Sequence, residues 1–272
     1  MEMFHVKHYE RGWSEVLVES TLFGVRDKVK DALDMLHEFE PEEGYYLAYS
    51  GGKDSTVLLD LARRSGVKFD AHYNLTTVDP PELVRFIRTQ PDVIIESPEK
   101  TMWELIVENR MPPTRTVRYC CKILKERGGH ERRVMTGVRA AESANRKKRQ
   151  SVERCFRDGT RTFVHPIFHW SDADVWEYIH SRNLPYCSLY DEGFRRLGCI
   201  CCPMGNAKNQ LRQAERWPKY KAQYIRTFQK MVDKKIADGF DVGEWRTGQD
   251  VWDWWVSPTP VKEDEAQLMI FE

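Results

Sequence analysis

Two groups of residues in this chain have the types and spacing for chemistry. The first is the run Ser50-Gly51-Gly52-Lys53-Asp54-Ser55, in which paired glycines sit among hydroxyl, amine and carboxylate side chains. Glycine has no Cβ, so the backbone can take φ > 0 there and turn successive N–H groups toward one oxyanion. Ser50 and Ser55 add hydroxyl donors, and the stretch reads as a phosphate cradle. The second group is sulfur. Of seven cysteines, Cys120 and Cys121 are adjacent, while Cys199 and Cys202 form a Cys-x-x-Cys that encloses Cys201. Four thiolates from two distant segments can close one tetrahedral metal or cluster site if the fold brings the segments together.

Elements must exist to position both groups. Tyr45 to Tyr49 reads as a buried strand entering the glycine turn, and Asp54 to Ser65 places Val57, Leu58, Leu61 and Ala62 at helical spacing, so a helix dipole would face the same anion. Before them, Gly24 to Phe39 has the apolar period of a helix stopped by Pro41. After them, strands are expected at Phe69–Leu75, Val93–Ser97, Val134–Val138 and Phe163–Ile167. Helices are expected from Asp79-Pro80-Pro81 to Gln90, over Thr101–Asn109, and from the N-cap Ser171 to about Arg182. This alternation predicts an α/β fold with a mostly parallel sheet covered by helices on both faces, whose ligands sit at the carboxyl ends of the strands. Beyond Cys202 the character changes to a basic amphipathic helix, Trp217–Ala237, and a stretch bearing Trp245, Trp252, Trp254 and Trp255. These tryptophans are expected to pack rather than to stack on bases. The expected organisation is an N-terminal segment with a helix (1–40), a nucleotide-binding domain with the cysteine clusters (41–205), and a helical C-terminal appendage with an acidic tail (206–272).

Composition bounds the partners. Forty-two basic and 42 acidic residues leave no net charge, so any nucleic-acid contact must be local. No apolar run approaches the roughly 18 residues of a membrane span, and the N-terminus lacks a signal-peptide apolar region, so a soluble cytoplasmic protein is expected. Clustered cysteines suit metal ligation in a reducing compartment better than a disulfide framework. The strongest local charge is Asn145-Arg146-Lys147-Lys148-Arg149-Gln150, followed by Arg154, Arg157 and Arg161. It is read first as a solvated loop and second as a site for a nucleic-acid backbone.

The glycine run is not a Walker loop, because Lys53 is followed by Asp54 rather than Ser or Thr. Ser-Gly-Gly-Lys-Asp-Ser instead resembles the pyrophosphate loop of enzymes that split ATP between its α and β phosphates. Gly137-Val138-Arg139-Ala140-Ala141-Glu142-Ser143 with Arg146 adds to the likeness. So do His165-Pro166-Ile167, Trp170 to Trp176, and Leu189 to Cys199. Over roughly residues 44 to 205 the chain resembles the phosphoadenosine phosphosulfate (PAPS) reductase family.

That resemblance implies an adenine nucleotide alpha hydrolase-like fold and a site in which Ser50, Gly51, Gly52, Asp54 and Ser55 hold the pyrophosphate of ATP with Mg²⁺. It gives Lys53, Asp54 and Ser55 the catalytic roles, and it puts Arg139, Glu142, Ser143 and Arg146 on the nucleotide or substrate side. Arg139 and Arg146 are the stronger anion ligands, since guanidinium grips phosphate bidentately. Arg195 and Arg196 are similar candidates, and His165 and His169 weaker ones. The cysteine pattern is similar to that of the cluster-bearing adenylyl sulfate reductases, which implies a 4Fe-4S cluster on Cys120, Cys121, Cys199 and Cys202 with Lys122 or Lys125 nearby. Zinc and plain buried thiols are the alternatives. Cys201 is a spare thiol or an alternative ligand, and Cys155 and Cys187 are structural.

Two departures separate the chain from the reductases. They attack sulfur with a cysteine in a C-terminal Glu-Cys-Gly-x-His motif, and no cysteine follows Cys202 here. They also tend to have a degenerate phosphate loop, which is intact here. Relatives with an intact loop include the ATP pyrophosphatase of DNA phosphorothioation, the sulfate adenylyltransferase small subunit and FAD synthase. The expected activity is therefore that of an iron–sulfur ATP pyrophosphatase that adenylates an acceptor for sulfur transfer. A sulfonucleotide reductase and a non-catalytic nucleotide-binding module are the alternatives. Expected partners are an adenine nucleotide, an unidentified acceptor that could be nucleic acid held at Arg146–Arg149, and a sulfur-donor protein.

Overall fold

A computed structural model describes residues 17–21, 24–155 and 159–257. The expected acidic tail at 261–272 and Arg157 of the basic run lie outside the described residues. A hairpin of β1 (Val18–Thr21) and β2 (Gly24–Asp27) leads into α1 (Lys28–Glu38). The helix expected from Gly24 thus begins four residues later. Asp27 ends the strand and turns its carboxylate onto the N–H groups of Val29 and Lys30, both at 2.9 Å, a cap of the kind that contributes about 1 kcal/mol.

The sheet holds β3 (Tyr45–Ala48), β4 (Phe69–Asn74), β5 (Val93–Glu96), β6 (Arg133–Met135), β7 (Val152–Arg154) and β8 (Thr162–Val164), in the order β5-β4-β3-β6-β8-β7. All pairs are parallel except β7 with β8. Strand β7 falls where the sequence reads as a basic solvated loop. Three residues are too short a run for alternation to register, and pairing with β8 rather than local propensity makes it a strand.

The chain runs outward from β3 through α2 (Lys53–Ser65), β4, α3 (Pro81–Arg88) and β5. It then crosses back by α4 (Met102–Asn109) to β6 on the other side of β3. Strand order therefore reverses beside β3, and a crevice at such a reversal is where α/β sheets hold ligands. Helices α1, α2 and α6 (Asp172–Ser181) pack together, while α4 packs with α8 (Pro218–Ala237) and α8 with α9 (Gly248–Trp255), which covers both faces. Leu47, Val57, Leu58, Leu61 and Ala71 are fully buried between sheet and helices. Each such side chain stabilises the fold by about 1.5–3 kcal/mol, Ala71 less. Trp252 and Trp255 are buried with Tyr224 and Phe228 in the α8–α9 layer, whereas Trp254 stays exposed. No helix among the described residues is long and apolar enough to cross a membrane.

Candidate active site and thiol pocket

The carboxyl ends of β3, β4, β6 and β8 deliver four loops to one edge of the sheet: 49–52, 75–80, 136–143 and 165–171. The first is the glycine loop. Gly51 has φ +70°, and a Cβ on it would stand 2.7 Å from side-chain atoms of Leu83 and Ile87, so both its conformation and its packing against α3 exclude a larger residue. Ser50 and Ser55 lace the turn: the Ser50 N–H donates to Ser55 Oγ at 3.2 Å, the hydroxyls lie 3.1 Å apart, and Ser55 donates to the Gly52 carbonyl at 2.9 Å. The N-terminus of α2 opens beside them with Gly52 as its cap residue. Gly137, at the end of β6, approaches so closely that a Cβ there would meet the Asp54 carbonyl carbon at 3.0 Å.

Lys53 and Arg139 are both buried, and two carboxylates close a ring around them. Lys53 Nζ lies 3.1 Å from Asp54 and 2.9 Å from Asp172, while Arg139 donates from Nε to Asp54 at 2.6 Å and from Nη2 to Asp172 at 3.0 Å. Arg139 also donates to the Trp170 carbonyl at 3.1 Å. Burial disfavours charge on Asp172, but Lys53 and Arg139 outweigh it and hold its carboxyl below the ordinary value. Buried cations require such pairing. Asp172 was not among the sequence candidates. Its place two residues after Trp170, in the segment of the family likeness, was the signal that could have found it.

Of the other predicted residues, Glu142 accepts the Arg139 N–H at 3.0 Å and pairs with Arg146, and Ser143 caps α5 (Ala144–Lys147) by accepting the Arg146 N–H at 3.2 Å. Glu142 and Ser143 thus shape the loop that carries Arg139. Arg196 reaches Glu142 at 3.6 Å with its side chain largely exposed. His165 is fully buried with Nδ1 2.7 Å from Thr136 Oγ1, and burial pushes its pKa down to about 4, whereas His169 is exposed. The basic run divides: Arg149 pairs with Glu153, Arg161 is buried, and Lys147, Lys148 and Arg154 face solvent.

The cysteines converge. Cys120, Cys121, Cys199 and Cys202 line one pocket with Lys125, Thr76 and Pro203, closed by Tyr224 of α8 and Trp255 of α9. Cys120 and Cys121 enter it at the head of a wide helical turn, Cys121–Lys125. Cys199 is held by a 3.4 Å contact from its thiol to Thr76 and by the Ile200 N–H on the Val78 carbonyl at 2.8 Å. The Cys120 thiol donates to Cys121, which keeps the proton on Cys120 and pushes Cys121 below the ordinary thiol range. Lys125 keeps part of its chain open to solvent, yet its ammonium sits among the thiols, and Cys199 above all raises its pKa. Cys201 points elsewhere. It takes the left-handed conformation, φ 57°, and is fully buried against α7 (Ala207–Arg216), its N–H on Gln213 at 2.6 Å and its thiol toward the Gln210 carbonyl at 3.5 Å. Cys187 is buried and Cys155 half-buried, both away from the pocket. Among the described residues no three His, Cys, Asp or Glu side chains close on a single point as a metal site. The four thiols border a common space, and an all-sulfur donor set beside a cation fits a thiophilic centre such as a 4Fe-4S cluster or zinc.

The two sites share a strap. The segment that carries Cys199 and Cys202 begins at Cys187, and within it Tyr190 accepts the Lys53 backbone N–H at 2.8 Å. Tyr190, Tyr224 and Trp255 went unrecognised as site residues, because their partners lie far off in sequence.

A profile of the phosphoadenosine phosphosulfate reductase domain matches residues 44–204, more than half of the chain. An uncharacterised protein of Methanocaldococcus jannaschii is 30% identical over 227 residues, which cover 79% of this chain and 53% of that protein. A second from the same organism is 29% identical, and 45% of its length is covered, so the chain spans about half the length of these relatives. An adenosine 5'-phosphosulfate reductase of Bacillus mycoides is 27% identical, with 72% of this chain and 89% of the reductase covered. Among solved structures, a PAPS reductase from Candida auris in a phosphate complex superimposes with a TM-score of 0.48 at 18% identity, covering 62% of this chain and 88% of that one. The sheet, parallel except for β7 and reversing its strand order beside β3, is the mostly parallel α/β sheet expected from the sequence. With the profile match spanning the glycine loop, the Arg139 loop and all four pocket cysteines, the chain belongs to the phosphoadenosine phosphosulfate reductase family.

Proposed function

We propose that this protein is an iron–sulfur ATP pyrophosphatase that adenylates an acceptor and releases pyrophosphate, preparing the acceptor for sulfur transfer. The observation that carries the reading is the intact glycine loop, with its serine pair at the mouth of α2 and two buried cations, Lys53 and Arg139, beside it. In the reaction an acceptor oxygen attacks the α-phosphorus of ATP, the bond to the β-phosphate breaks, and pyrophosphate leaves with Mg²⁺. Ser50, Gly51, Gly52 and Ser55 hold the leaving group through hydroxyls and N–H groups aided by the α2 dipole. Lys53 and Arg139 neutralise the charge that develops on it. Their present carboxylate partners, Asp54 and Asp172, keep them in place until the nucleotide arrives, so the stabilising charges need no reorganisation at the moment of reaction.

Cys120, Cys121, Cys199 and Cys202 would hold the cluster, which when bound would supply sulfur or electron chemistry. Lys125 balances thiolate charge, and Thr76, Tyr224 and Trp255 wall the space. The test is release of AMP and pyrophosphate by anaerobically purified protein offered candidate acceptors. Activity should disappear in Asp54→Ala and Ser55→Ala. Sulfite formed from adenylyl sulfate or PAPS with a thiol donor, and no AMP from ATP, would replace this reading with the reductase one.

A further inference from the structure

The protein is neutral overall, but the surface around the thiol pocket is not. From Thr114 to Lys125 the chain carries Arg115, Arg118, Lys122 and Lys125 and no acidic residue; from Pro203 to Ala214 it carries Lys208 and Arg212 and again none. The first segment ends in the turn bearing Cys120 and Cys121, and the second starts directly after Cys202. They meet at the rim, where Arg118 Nη1 lies 3.7 Å from Met204 Sδ. Arg115, Lys122 and Lys208 are exposed and make no ion pair among the described residues. Four large apolar side chains stand exposed in these two segments, Val117 at 47%, Ile123 at 38%, Met204 at 42% and Leu211 at 44%. Two carboxylates lie near the pocket: Asp79, which is buried and accepts the Thr76 N–H at 2.7 Å, and the half-buried Glu126 beside Cys121, so the exposed charges of the two segments are basic.

We propose that this rim is the docking surface for an acidic partner protein that reaches the thiol pocket. The proposal rests on the reading of the pocket as part of the reaction site. Charge argues for an anionic partner, since a patch of one sign on a neutral molecule steers encounter and fixes orientation. The apolar component argues for protein over nucleic acid. A phosphate backbone needs only cations, and single-stranded bases need aromatic platforms, whereas the exposed residues here are aliphatic and Met, a side chain suited to adaptable protein contacts. Among the described residues, the segment of the second basic patch, Lys147 and Lys148, carries no exposed large apolar side chain, and the patch serves as the internal control.

The experiment uses the full chain, without nucleotide, and three probes: an acidic plant-type ferredoxin, polyglutamate and a short DNA duplex. Ferredoxin is expected to bind at low salt, weaken as salt rises, and couple through carbodiimide to Lys122 and Lys208. The charge reversal Arg115→Glu/Lys122→Glu/Lys208→Glu should weaken binding at least roughly tenfold with unchanged circular dichroism, and Lys147→Glu/Lys148→Glu should not. Ile123→Ser/Met204→Ser should weaken ferredoxin several-fold and leave polyglutamate unaffected. The proposal is overturned if ferredoxin does not bind, if both charge reversals act equally, if the apolar variant has no effect, or if the duplex alone binds through this rim. Because binding is read without ATP, a chain that docks ferredoxin here and yet never forms AMP loses the pyrophosphatase reading and keeps this one.

Discussion

The phenol oxygen of Tyr190 accepts the backbone N–H of Lys53 at 2.8 Å, joining the segment that ends in Cys199 and Cys202 to the first turn of the phosphate-loop helix. Gly52 has no side chain with which to cap that helix, so Tyr190 performs the task from 137 residues away. Removing the hydroxyl in Tyr190→Phe leaves a partly buried N–H without its partner and should cost about 1–3 kcal/mol. Phosphate can occupy the same N–H, so Mg-ATP should raise the melting temperature of Tyr190→Phe more than that of the parent. An equal rise in both would show that the nucleotide does not reach this N–H.

Gly51 meets two constraints at once, positive φ and contact with α3. Gly51→Ala should destabilise the protein by about 1–3 kcal/mol and abolish nucleotide binding. Trimming the contact with Ile87→Val should restore only part of the stability, because the backbone strain remains. Urea denaturation of the single and double variants measures the split.

Arg139 is held by Asp54, Asp172 and the Trp170 carbonyl. Arg139→Ala leaves Lys53 to balance two carboxylates and should cost about 2–4 kcal/mol, below the top of the buried-pair range because Asp172 is solvated. Arg139→Lys should recover little, since one ammonium cannot reproduce three directed contacts. Denaturant midpoints of the two variants, compared with Asp172→Asn, test whether the ring acts as a unit.

His165 is buried and neutral, its pKa pushed by burial to about 4 against an ordinary 6.5. The unfolded chain therefore takes up a proton at higher pH than the folded one. Stability from this group is complete above about pH 6.5, falls as pH drops toward 4, and levels off below, a total of about 3 kcal/mol. His165→Gln should flatten that part of the pH profile, read from urea midpoints between pH 4.5 and 7.5; Asp172 and Asp174, whose carboxyls lie below their ordinary value, lose their contribution at still lower pH.

Cys201 and its neighbours separate by geometry. Cys201→Ser should keep the iron and acid-labile sulfide of anaerobically purified protein, because this thiol faces α7. Serine at Cys120, Cys121, Cys199 or Cys202 should lower both, and Cys187→Ser should not. A protein that carries zinc and no sulfide would remove the cluster from the proposed function while leaving the four-thiol pocket intact.

Much of this was legible in the residues. The glycine loop, the helix after it and the alternation that builds a parallel sheet are local in origin: glycine's freedom at φ > 0, apolar period and capping residues act within one or two turns of chain. The likeness over residues 44 to 205 added the four pocket cysteines as a set. Sequence could not decide which way a side chain faces once segments meet. Cys201 stands between two pocket cysteines and yet points away, because a left-handed turn sets its thiol toward Gln210. Arg139 looks like a free anion ligand in one dimension, but in the fold it is bound to Asp54 and Asp172, residues 85 and 33 positions away. The same holds for Tyr190, Tyr224 and Trp255, whose roles arise only from packing between distant elements. Local backbone preferences are written residue by residue, whereas the pairing of buried charges and the walls of a pocket depend on contacts that exist only after the sheet has assembled.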